Sequence, residues 1–143
     1  MSAAPADALR ALAAFLREER TPISDHVVEP EAPPTLGLLA AEGPGAAADP
    51  AEYALVVESV REGYLLHYGQ PRLLSGHDDD LALLAGDYLY ALGLDRLARL
   101  GDDRAVAILG NLISSCAQLH AEDRAASVPA LWDEAARSIG APS

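Results

Sequence analysis

Apolar residues recur every three or four positions through most of this chain, and no segment alternates cleanly with a period of two, so helices are expected and strands are not. From Ala4 to Arg20, the residues Leu9, Leu12, Phe15 and Leu16 fall on one helical face, and Thr21-Pro22 ends the pattern. Asp49-Pro50 is a strong helix start, with a capping carboxylate followed by proline at the first helical position. That helix is expected to run to about Tyr68, where Gly69 and Pro71 stop it. Tyr53, Val56, Val57, Val60, Tyr64 and His67 share one of its faces. Glu58, Arg61 and Glu62 share the opposite one.

His77-Asp78-Asp79-Asp80 opens the next helix, which closes at Gly101 with Arg96 and Arg99 in its last turns, where the macrodipole favours cations. Between Asp80 and Gly101 this helix is apolar on most sides, and such a helix is expected to lie buried in a core. Asp102 caps a further helix to about Glu122, with Ala105, Leu109, Leu112, Cys116 and Leu119 as its stripe. The short turn between these two predicts antiparallel neighbours. Ser127 is the expected cap of a last helix from Val128 to Ile139, anchored by Leu131 and Trp132.

One stretch breaks the pattern. Pro22, Pro30, Pro33, Pro34, Pro44 and Pro50 punctuate Thr21 to Pro50, and no helix persists through that spacing. It reads as linker or lid, with Leu36 to Ala41 as a short helical turn. The expected fold is therefore all-α, an antiparallel bundle of about four to five helices with a long Pro-rich loop after the first. The divisions are an N-terminal helix (1–20), a Pro/Gly/Ala-rich linker or lid (21–49) and a helical core (50–143).

Charge narrows the partners. The 143 residues carry a net charge of −12, which argues against nucleic acid and anionic membranes as primary partners. One cysteine leaves no internal disulfide to form. The N-terminus shows no basic region followed by a long apolar run, and charges interrupt every apolar stretch, so a cytoplasmic protein without a membrane span is expected.

Candidate chemistry is sparse. Asp78, Asp79 and Asp80 are weak candidates for Mg²⁺, with Asp87 one heptad further along. The simpler reading is that acids at a helix N-terminus satisfy free N–H groups and the dipole. Asp87 is expected to bond a tyrosine or histidine of a neighbouring helix, and Asp95 to be solvated. His67 reads as a hydrogen-bonded core or interface residue, His120 as a cation at a helix end, and Cys116 as a small core residue. There is no Gly-rich phosphate loop, zinc pattern or nucleophile elbow.

Two stretches resemble the trans-type isoprenyl (polyprenyl) diphosphate synthase superfamily. Leu83 to Asp102 carries Gly86-Asp87-Tyr88-Leu89 followed by an Ala/Leu-rich run and a short turn. Val56 to Leu74 carries Glu62-Gly63-Tyr64 and His67-Tyr68-Gly69, and is most similar to the non-catalytic small subunit of heterodimeric heptaprenyl diphosphate synthases. Catalytic members of that superfamily hold Mg²⁺ on two DDxxD motifs. Here the last place of such a motif is Ala82 or Leu83 after the Asp78–Asp80 cluster, and Val106 after Asp102-Asp103.

The resemblance thus implies an accessory subunit or truncated relative with no catalytic residues of its own, no bound cofactor, and Mg²⁺ only within a complex. It would pair with a catalytic subunit in isoprenoid biosynthesis, menaquinone side-chain assembly included, or self-associate. Glu62, Tyr64, His67, Asp87, Tyr88 and Asp95 are the interface or pocket candidates. The alternatives are a stand-alone helical module that binds a partner or a hydrophobic ligand with no prenyl link, and a metal-dependent enzyme using Asp78 to Asp87.

Overall fold

The computed structural model describes residues 4–142, and within them the chain forms an all-α bundle. Six α-helices follow in order: α1 (Ala8–Glu18), α2 (Thr35–Ala41), α3 (Pro50–Tyr68), α4 (Asp79–Arg99), α5 (Asp103–Ala121) and α6 (Val128–Gly140). Among the described residues no strand forms, and Val27 and Leu74 make one isolated bridge. No helix there is long and apolar enough to cross a membrane.

Local chemistry sets most boundaries. The Asp49, Asp78 and Asp102 side chains accept hydrogen bonds from Glu52 N, Leu81 N and Ala105 N, capping α3, α4 and α5. Gly101 ends the turn after α4 at φ +77°, a conformation that costs glycine little. Ser127 does not cap α6 as expected. Its side chain makes no capping bond, and a 3₁₀ turn over Ala125–Ser127 leads straight into the helix.

The centre of the bundle is α3, not α4. Every residue of α3 from Tyr53 to Val60 is buried. On one side Val56, Val57, Val60 and Tyr64 meet Leu109, Leu112 and Cys116 of α5 with Trp132 and Ile139 of α6. On the other, Ala54, Leu55 and Leu66 meet Leu9, Leu12 and Leu16 of α1, Leu73, and Ala85 and Leu89 of α4. Burial of each large side chain contributes about 2 kcal/mol, so a helix with a core on both flanks anchors the whole molecule.

Direction follows from cross-helix bonds. Glu52 at the start of α3 pairs with Arg96 near the end of α4, and His67 at the end of α3 bonds Asp87, so α4 runs antiparallel to α3. Tyr53 bonds Asp102 and Tyr64 bonds His120, so α5 runs parallel to α3. The expected antiparallel pair of α4 and α5 follows from the same bonds.

Two expectations change. First, α4 is not buried all round. Its inner side presents Ala85, Gly86, Leu89, Gly93 and Leu97 to α3, while Leu83 and Leu84 are 53% and 61% exposed. Second, the Pro-rich stretch is packed. Ile23, Ala40 and Ala46 are buried within it, and α2 lies against α3 and α6. Val28 N donates to Leu73 O and Ser75 N to His26 O, tying it to the loop after α3. The prolines bar long helices but allow one short helix between Pro34 and Pro44, and that helix brings the total to six.

Candidate docking site

Three sets of residues carry the polar chemistry. The first is sealed. Glu58 and Glu62 have no exposed surface, although they stand opposite the apolar face of α3. Arg72, in the loop after α3, answers both: Nη1 donates to Glu58 Oε1 at 2.6 Å and Nε to Glu62 Oε1 at 3.0 Å. Backbone amides supply the rest. Gly37 N donates to Glu58 Oε2, and Arg72 N and Leu73 N donate to Glu62 Oε2, all at 2.7–2.8 Å. A buried carboxylate held this way is a structural brace. Glu62, expected at an interface or pocket, is therefore an interior residue.

The second set is a run of rings where the ends of α3 and α5 meet the N-terminal half of α4. His67 Nε2 and Asp87 Oδ1 lie 3.0 Å apart, and the His67 ring stacks on Tyr90 at 5.3 Å. Gly86 makes room for that ring: a Cβ there would come within 2.8 Å of Nε2. Tyr68 lies flat on His120, with centroids 4.0 Å apart and planes 7° from parallel. Tyr64 bonds His120 Nε2 through its hydroxyl at 2.7 Å and meets Trp132 edge-on. Burial pushes the Tyr64 and Tyr90 hydroxyls up from their ordinary pKa, and it does the same to the Cys116 thiol beside them. Cys116 is fully buried, as a core cysteine should be.

The third set is the outer side of α4. Asp80, Leu83, Leu84, Asp87, Ala91, Asp95 and Ala98 are all exposed there, so carboxylates border an apolar stripe. Asp95 pairs one turn on with Arg99 Nε at 2.9 Å. Asp87 does tie helices together through His67, but its side chain is 76% exposed. Tyr88 points away from both sets and donates to the Glu19 carboxylate beyond α1 at 2.5 Å. The structure thus gathers Tyr64, His67 and Asp87 into one patch and sends Glu62, Tyr88 and Asp95 elsewhere.

Asp78 is occupied as a cap, and Asp79 and Asp80 point to solvent in the first turn of α4. Among the described residues, no group of three or more His, Cys, Asp or Glu side chains gathers as a metal site. Two adjoining concavities of about 570 and 440 Å³ between α1, α3 and α4 share Phe15, Asp49, Glu52 and Arg96. Their central charges are already matched, because Arg96 holds Glu52 by two bonds of 2.7 and 2.8 Å.

The sequence does not join His120 and Trp132 to this patch. Their partners lie 56 and 68 positions away from them along the chain, at Tyr64, and spacing within one helix carries no such signal. The chain matches no protein-family model, no curated protein and no solved structure.

The tyrosines predict an alkaline limit to stability. Burial, and then the hydrogen bond to Asp102, push Tyr53 up to about 12. Tyr88 and Tyr90 are raised as well, burial again being the first cause. An unfolded tyrosine titrates near pH 10, so the folded chain holds these protons after the unfolded chain has lost them. Their contribution is complete below about pH 10 and is lost as pH rises toward 12. The midpoint of urea unfolding is expected to fall steadily from about pH 9.5 upward, and to be recovered partly in Tyr53→Phe.

Proposed function

We propose that this chain is a non-catalytic accessory subunit, or truncated relative, of a polyprenyl diphosphate synthase, acting in the cytoplasm in isoprenoid biosynthesis. It pairs through α4 with a catalytic subunit. The observation that supports this most is the exposure of Leu83 and Leu84 on the helix that carries Gly86-Asp87-Tyr88-Leu89. A helix apolar on nearly all sides is stable in water only when something covers it. Within this chain α3 covers one side of α4, and a partner covers the other. Product length is then set jointly, with the partner supplying the carboxylates that hold Mg²⁺.

Self-association is the weaker reading of the same face. Two copies would bring together surfaces of like sign, each from a chain of net charge −12.

Co-purification tests this. The tagged chain is expected to retain a polyprenyl diphosphate synthase encoded by the same genome, and to change the chain length of its product. Leu84→Asp should abolish retention while leaving the melting temperature of the free chain nearly unchanged, because residue 84 is outward-facing. A wild-type chain that neither binds the synthase nor alters its product rejects the reading.

A further inference from the structure

Arg61 is out of keeping with its surroundings. The chain has 22 acidic residues against ten arginines, so an arginine should find a carboxylate with ease. Arg72 and Arg96 each hold glutamates, and Arg104 donates to Ser138 O. Arg61 is half-buried, yet among the described residues it makes no ion pair and no hydrogen bond. Its guanidinium carbon sits 5.1 Å from the centre of the Tyr64 ring and 5.0 Å from that of Trp132. Two rings flank it, and among the described residues its N–H donors bond no carboxylate or carbonyl.

The position matters as much as the lack of a partner. Between Tyr53 and Leu66, only Arg61 and Leu65 of α3 escape burial, and Tyr68 continues that line to 41% exposure. These three, one or two turns apart, form the window through which the buried helix reaches the surface. Arg61 and Tyr68 are of the residue types that dominate binding energy at protein interfaces. The window is also continuous with α4. Tyr68 lies against His67 at 5.9 Å, and His67 in turn touches Asp87 and Tyr90.

We infer that Arg61 anchors the docked catalytic subunit by taking a carboxylate of that partner, presented beside an apolar or aromatic side chain that covers the Tyr68–His120 stack. The inference rests on the pairing proposed above and adds to it the chemistry the partner must bring. A guanidinium grips a carboxylate with two parallel bonds, which a lysine cannot reproduce. Binding loses strength with added salt accordingly, and Arg61 carries part of that dependence.

The test is a titration of the synthase subunit with wild-type chain, Arg61→Gln, Arg61→Lys, Tyr68→Ala and Leu84→Asp, at low and high salt, with thermal melts of each free variant. Arg61→Gln is expected to weaken binding about 30-fold and to flatten the salt dependence, and Arg61→Lys about 10-fold. Tyr68→Ala should weaken binding similarly and, being exposed, keeps the question open to test even if Arg61 variants fold poorly. Arg61→Gln and Tyr68→Ala binding like wild type, while Leu84→Asp does not bind, overturns this inference and leaves the pairing intact. Wild-type chain that fails to bind overturns both. A homodimer weakened by Arg61→Gln makes the occupant a second copy and overturns the assignment to a catalytic subunit.

Discussion

Arg72→Met is expected to cost on the order of 4 kcal/mol, a large part of the stability of a domain this size. The reason is the asymmetry of buried ion pairs. Removing one partner leaves the other charged and dry, and here two partners are left. Glu58 and Glu62 are fully buried, and among the described residues Arg72 is the only side chain donating to either. The amides of Gly37, Arg72 and Leu73 remain, but they cannot neutralise two carboxylates. Arg72→Lys should fall between, because one ammonium cannot reach both acids as Nε and Nη1 do. The loss should shrink in a Glu58→Gln/Glu62→Gln background, where no net charge is stranded. Calorimetric melts of the four combinations measure it. Equal losses in both backgrounds would show that Arg72 acts by packing and not by charge.

Gly63→Val is the second large effect, and its cause is space. The helices α3 and α4 touch backbone to backbone where Gly63 meets Gly86. A Cβ at residue 63 would lie 2.8 Å from Gly86 O and 2.8 Å from Cδ1 of Tyr90. Neither can yield easily. The carbonyl belongs to a helix, and Tyr90 is held by its stack on His67. Valine there should cost about 3 kcal/mol or more, by forcing the two helices apart. Alanine costs less, because it regains about 1 kcal/mol of helix propensity. Gly110→Ala is the internal control. Nothing lies within 4 Å of a Cβ at that position in α5, so the same substitution should stabilise by somewhat under 1 kcal/mol. Urea unfolding of the three variants gives the order directly.

What the sequence reveals and what it hides divide along sequence distance. The caps at Asp49, Asp78 and Asp102 and the stop at Gly101 act over three or four residues, so the residues alone announce them. The bounds of α3 follow from them closely. The roles of Glu58 and Glu62 cannot be read that way. Acids spaced four apart look like a solvated face until Arg72, ten and fourteen residues on, is seen to fold back over them. For α4, apolar composition predicts burial. Composition records that a face avoids water but not whether this chain or another covers it. The Pro-rich stretch misleads for a related reason. Prolines forbid long helices, yet they do not forbid packing, and α2 fits between two of them.

Of the candidate patch, Tyr64, His67 and Asp87 are marked by their place on apolar helices. Arg61 is not, because in sequence it sits between two acids that look like its partners. Both turn inward to Arg72, and the arginine is left facing the surface.

The double hold on Glu58 has a consequence for how the chain is made. One of its oxygens is held by the amide of Gly37, and the other by Arg72. In order of synthesis α2 comes before α3, and the loop that carries Arg72 comes after both. The set of bonds around Glu58 is complete only once residue 72 has followed and brought its positive charge. The hold on Glu58 therefore joins the proline-rich stretch, α3 and the loop after it into one native unit.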